Sequence, residues 1–195
     1  MDKIFSRKLI SVIFIISILQ ACATAHHHSI PVKNVTTLTP KPGHALVIFM
    51  RPGTFVGGAI QTPVFDDRKY LGTISRGNKL AYQAKPGKHM FVLAHTGDIN
   101  PGDLMQATLT EGKTYYVLLT VRFGGFDFKP LNKPLPMDKI KSWLDSTILI
   151  KPNEHGYAWA VENKPDLDRK YQRNLKNWNE TSEGQRKTLF ADSGI

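Results

Sequence analysis

Cysteine is nearly absent: Cys22 is the only one in 195 residues. A single thiol allows no intramolecular disulfide framework and no multi-cysteine metal cage. Acidic residues are scarce as well, 16 Asp and Glu against 26 Lys and Arg, which leaves a net charge of +10. Long apolar runs are missing too. The clearest, Leu9–Leu19, is broken only by Ser11 and Ser17, yet as a helix it reaches about 16 Å against a hydrocarbon core about 30 Å thick. Extending it back to Ile4 would place Arg7 and Lys8 in that core at about 2.5 kcal/mol or more apiece. Neither G-x-S-x-G nor H-E-x-x-H occurs, which removes the nucleophile elbow and the zincin helix as sources of hydrolytic chemistry.

What is present begins at the amino-terminal end. Lys3, Arg7 and Lys8 precede the apolar run, and small Ala21 precedes Cys22. A basic start, a short apolar stretch and a small residue before a cut describe a secretory signal peptide over residues 1–21. Leu19-Gln20-Ala21-Cys22 resembles the lipobox of bacterial lipoproteins. That resemblance implies that the Cys22 thiol receives a diacylglyceryl group, that the chain is cut before it, and that the new amine is acylated. Several acyl chains anchor stably where one gives only marginal binding. Ala23 stands where an aspartate commonly retains such proteins in the inner membrane, so the resemblance favours the outer membrane, facing the periplasm.

Removing residues 1–21, with three cations and one anion, lowers the net charge by two, from +10 to +8. An exported basic domain without a nucleic-acid motif is expected to meet the membrane surface, an envelope protein or an acidic glycan, and not nucleic acid. Residues 22–43 are rich in Thr, Pro and small residues and are expected to be the lipidated end and a flexible tether. His26, His27 and His28 fall in it, where adjacent side chains do not preform a metal site.

From His44 the texture changes. HALVIFM, AIQTPVF, KYLGTI, KLAYQA, KHMFVLAHT, LMQATL, TYYVLLTVRF and STILI are short runs parted by RPGTFVGG, DDR, SRGN, KPG, GDINPGD, TEGK and a Gly- and Pro-rich stretch. Such spacing predicts an all-β sandwich or barrel. Apolar residues at both parities of 115–121 predict a central strand covered on each side. Pro63 predicts an edge strand or a bulge. Residues 137–144 suggest one or two helical turns with Ile140, Trp143 and Leu144 together. Leu167, Tyr171, Leu175 and Trp178 form a helical stripe, expected to pack on the sandwich. Asn163, Pro165 and Asp166 suggest a capping-box-like start, and Asp166 is spaced to pair with Lys170. The expected fold is mainly β, an antiparallel transthyretin- or immunoglobulin-like sandwich with a C-terminal helix packed on it. Residues 44–182 form one domain, and 183–195 are expected to be a fraying tail.

ALVIFMRPGTFVGGA (45–59), KPGKHMF (85–91) and EGKTYYVLL (111–119), with the turn FDDRKYLG, resemble the landmarks of the bacterial lipoprotein family known as domain of unknown function 2846. The resemblance covers about residues 44–125 and leaves 130–195 outside. It implies a small envelope-facing β-sandwich and supplies no active site, because the family has no established molecular function.

No catalytic residue, metal site or cofactor is therefore assigned. The loop RPGTFVGG (51–58) lacks the GK[ST] of a phosphate loop. Its Arg51 and Phe55, together with Arg169, Lys170 and Arg173 beside the helical stripe, are the candidate partner contacts. His89 and His95, six apart, would sit about 20 Å apart on a strand, too far for one metal. Asp66, Asp67, Asp98 and Asp103 occupy turn contexts. The expected function is a non-catalytic binding or scaffold module anchored to the outer membrane. The alternatives are an envelope hydrolase using unrecognised carboxylates, His89, His95 or His155, or an assembly lipoprotein of a secretion apparatus.

Overall fold

β-Branched and aromatic runs parted by turn residues fold here, among the described residues, into eleven strands in two sheets. The computed structural model describes residues 28–33, 38–53, 60–94, 104–122 and 125–195, with only the backbone of 121, 122 and 125. The strands are β1 (Ser29–Pro31), β2 (Ala45–Arg51), β3 (Thr62–Asp66), β4 (Lys69–Ile74), β5 (Asn78–Ala84), β6 (Gly87–Leu93), β7 (Leu104–Leu109), β8 (Thr114–Arg122), β9 (Gly125–Pro130), β10 (Ile148–Pro152) and β11 (Thr188–Leu189). One sheet runs β1-β10-β5-β2-β8-β9 and the other β11-β7-β6-β3-β4.

Strand parity builds the core. Ala45, Val47 and Phe49 of β2 and Tyr115, Val117 and Leu119 of β8 point between the sheets, where they meet Val64, Phe91, Leu93, Met105 and Ala107 of the facing sheet. The alternate residues Leu46, Ile48, Met50, Tyr116 and Leu118 point the other way and are buried as well. They need a lid, and helix α1 (Met137–Asp145) supplies it with Ile140, Trp143 and Leu144. Ile140 is fully buried, a side chain that contributes about 1.5–3 kcal/mol by leaving water. The outer face of the five-stranded sheet is lidded too. Phe65, Tyr70, Val92 and Leu104 pack under Trp159 of α2 (Glu154–Glu162) and under Leu167, Tyr171, Leu175 and Trp178 of α3 (Lys164–Glu180). The sandwich is thus a four-layer arrangement, with helices outside both sheets.

The mainly-β sandwich with a packed C-terminal helix is as the sequence leads one to expect. The pairing is mixed rather than wholly antiparallel: β2 with β8, β5 with β10 and β7 with β11 run parallel. Strand β3 is interior, between β6 and β4, so Pro63 does not mark an edge. A register shift does sit beside it, between Val64 and Phe65, where β4 carries one extra residue. Gly72, at φ +150°, takes the strained backbone position of that bulge.

Two boundary expectations are corrected. Of the segment 22–43, residues 28–33 and 38–43 are docked, not a free tether. Ser29–Pro31 pairs with β10, Leu38 packs on the α1 layer, and Gln83 holds Thr39 and Lys41. Nor do residues 183–195 fray. Thr188–Leu189 joins the sheet as β11, and Ile195 exchanges two backbone hydrogen bonds with Thr114. Backbone groups paired in this way have no reason to exchange their partners for water. The capping box at 163–166 is absent as well. The Asn163 amide instead donates to the Trp159 carbonyl, closing the end of α2.

Candidate functional site

A cleft opens where the β3–β4 hairpin, β6 and the two C-terminal helices meet. Its volume is about 360 Å³. Phe65, Tyr70 and Val92 form the floor, and Tyr157, Val161 and Leu167 rise from the helices. The helices reach this position because Asn153 caps α2, its side chain accepting the Gly156 N–H at 2.8 Å. Gly156 then lies so close to the chain at residue 28 that a Cβ would stand 2.3 Å from the His28 carbonyl oxygen. His28 stacks on Trp159 with ring centroids 5.1 Å apart, and its carbonyl accepts the Asn153 N–H at 3.2 Å.

Charges at the rim are largely engaged with one another. Asp168 accepts from Lys164 at 2.6 Å and lies 3.3 Å from the Arg68 Nε, and the lysine bond, with the two positive charges, holds its carboxyl below the usual range. Arg68 also stands over the Tyr171 ring, 5.6 Å away. Burial, and a hydrogen bond to Asp67, push the Tyr171 hydroxyl up to about 12. Burial likewise raises Tyr70 to about 12, while its hydroxyl sits 2.7 Å from the Thr73 hydroxyl. These contacts fasten α3 to the hairpin and leave apolar walls open.

A second polar cluster joins the hairpins. Asp66 accepts from the Tyr82 hydroxyl at 2.9 Å and from His89 Nδ1 at 2.8 Å. His89 Nε2 lies 2.8 Å from the Lys85 carbonyl. With an acceptor at each ring nitrogen, the doubly protonated imidazolium satisfies both bonds. The Asp66 bond leads in raising the His89 pKa above its ordinary value, against the opposing effect of burial. In that doubly protonated form the ring has no lone pair to abstract a proton or to bind a metal. Tyr82 is pushed up by burial and by the same carboxylate.

The candidate contacts are scattered. Arg51 is 1% exposed. Its guanidinium donates to the Ile60 carbonyl at 2.5 Å and lies 4.3 Å from the Phe126 ring centroid. Burial, with Arg76 nearby, lowers its pKa to about 10. An arginine closing the sandwich in this way does not present itself to a partner. Lys170 is likewise buried, paired with Asp166 at 2.7 Å. The pairing was legible in the i,i+4 spacing, but its burial was not. Arg169 and Arg173 are exposed on α3. With exposed Lys176 they fall at i, i+4 and i+7, opposite the stripe that packs on the sheet. Arg169 also bonds Asp166 at 2.6 Å. Phe55, Cys22, His26, His27, His95, Asp98 and Asp103 lie outside the described residues. His155 is exposed on α2, away from the His89 cluster by sequence and element.

Among the described residues no three His, Cys, Asp or Glu side chains converge to hold a metal, and no helix is long and apolar enough to cross a membrane. The cleft itself was missed by sequence reasoning, because α2 was missed. Asn153 followed by Glu154 was the available signal, a helix cap before an acidic first turn. Comparison of the chain with family models, with curated proteins and with solved structures finds no match.

Proposed function

We propose that the chain is an outer-membrane-anchored envelope lipoprotein whose sandwich is a non-catalytic binding or scaffold module for another envelope protein or an acidic glycan. Cys22 carries the acyl chains, facing the periplasm. The observation that carries the binding part is the outward stripe of Arg169, Arg173 and Lys176, a basic helix face held rigid by the packing of α3. A fixed row of cations attracts an acidic surface and speeds its encounter. The polar groups that could otherwise do acid–base work are spent on each other: His89 on Asp66 and Lys85, Tyr82 on Asp66.

The reading extends to the lipoprotein family that residues 44–125 resemble. The parts of its phrases that line the core are Ala45–Met50 of β2, Phe91 of β6 and Tyr115–Leu119 of β8. These are positions where residue type answers to packing, so the likeness speaks for architecture rather than for a shared ligand.

In-cell crosslinking of the full-length protein tests the proposal. The wild type is expected to recover one stoichiometric envelope partner, protein or glycan. The triple charge reversal Arg169→Glu, Arg173→Glu, Lys176→Glu is expected to cut that recovery about tenfold or more, as loss of steering and rim contacts would. Undiminished recovery by the triple variant, or cleavage of peptidoglycan or a peptide library by the purified protein, would overturn it.

A further inference from the structure

We infer that the α2 face and the mouth of the cleft rest on the bilayer surface, so that the domain lies on the membrane rather than hanging free of it. The inference builds on the acylation of Cys22 proposed above. Its basis is the short distance between anchor and fold. Only five residues separate Cys22 from His28, and six Cα steps reach at most about 20 Å even fully extended. The far end of that span is fixed. His28 is pinned by the Trp159 stack, by the Asn153 N–H and by the close approach of Gly156. Ser29 hydrogen-bonds the Thr73 backbone, and β1 follows at once. The described chain therefore begins beside the first turn of α2, and whatever holds Cys22 holds that corner to within the same reach.

The chemistry of the corner suits a lipid surface. Tyr157 is 53% exposed and Val161 74% exposed. They stand one helical turn apart on α2, within about 10 Å of its first turn, and both line the cleft. A tyrosine presents an apolar ring and a wet hydroxyl, the combination that partitions to the headgroup boundary. Around the mouth stand Arg68, Lys69 and Lys164 against Asp67 and Asp168, a net positive rim that anionic headgroups complement. Apolar residues inside a rim of three cations and two carboxylates, at the corner within reach of Cys22, match an interfacial face better than a second protein's epitope.

The sole native cysteine makes the test direct. Once acylated, Cys22 has no free thiol, so Val161→Cys gives the lipidated full-length protein one labelling site. Ser142→Cys, on exposed α1 across the sandwich, is the reference. Each carries a bimane fluorophore, and the protein is reconstituted in phosphatidylethanolamine–phosphatidylglycerol vesicles containing doxyl-labelled lipid. Quenching at position 161 is expected to exceed that at 142 several-fold. Equal quenching, in protein shown to be acylated and to float with the vesicles, would overturn the inference and leave the anchor intact. Shielding at 161 that appears only when an envelope protein is added would overturn it in favour of a protein partner. A chain not acylated at Cys22 would sink both readings together, and flotation with mass analysis of the same sample tells that failure apart.

Discussion

His89 shows how one residue couples the fold to pH. Its two nitrogens face the Asp66 carboxylate and the Lys85 carbonyl, and its pKa is raised. In the unfolded chain the group titrates near 6.5. The stabilisation is therefore fully present below that value and is lost as pH rises through the higher folded pKa. Thermal melts of the wild type and His89→Gln are expected to differ most near pH 6 and to converge near pH 9. A difference that grows with pH would contradict the assignment. This cluster was only half legible. Asp66 read as an ordinary turn residue and His89 only as too far from His95 to share a metal, because nothing local shows that Tyr82, sixteen residues from Asp66, folds back beside them. Arg51 is the same lesson reversed. Next to a Gly-rich loop it looked presentable, but the end of a fully buried strand draws its guanidinium onto the carbonyls of Ile60 and Ile74.

Among elements, the C-terminal end of α1 is tied to the sheet by one lysine. Lys79 of β5 donates to the Leu144 and Thr147 carbonyls at 2.6 and 2.7 Å, satisfying acceptors that the end of the helix leaves open. Burial lowers its pKa, but the bonds are charge-assisted. Lys79→Met is expected to cost about 1–3 kcal/mol, read as a lower urea midpoint and as faster amide exchange in α1 than in β2. Exchange that rises equally in both elements would argue that the lysine supports the whole core instead. The strands with strong alternation or β-branched runs were legible, as were α1 and α3, because each buries a face that its own sequence marks. Elements β1, β9, β11 and α2 were not, β9 because it opens on Gly125 in a Gly- and Pro-rich stretch. Two- and three-residue strands carry no period. The inward point of α2 is a glycine, Gly156, which serves close approach rather than hydrophobicity and so leaves no apolar stripe to read. The parallel pairs were hidden for a related reason: partners such as β2 and β8 are set by chain crossings, not by either strand's composition.

At the scale of the whole molecule, the sandwich, its outer helices and its docked leading segment make one body whose described part begins at residue 28, pinned beside α2. With Cys22 acylated as proposed, that fixed point would turn anchoring into an orientation. A long tether would let the domain turn freely above a membrane, whereas a span of about 20 Å or less holds one corner to it. Composition forecast the basic character, and the basic residues divide between buried ties such as Arg51 and Lys170 and the outward row on α3. The whole account turns on the chemistry at one sulfur. The most direct measurement is intact mass and N-terminal peptide mass spectrometry of the protein recovered from cell envelopes. The account predicts a chain that begins at Cys22, with a diacylglyceryl thioether and an acylated amine. A chain that keeps Met1, or one cut elsewhere with a free Cys22 thiol, would contradict it.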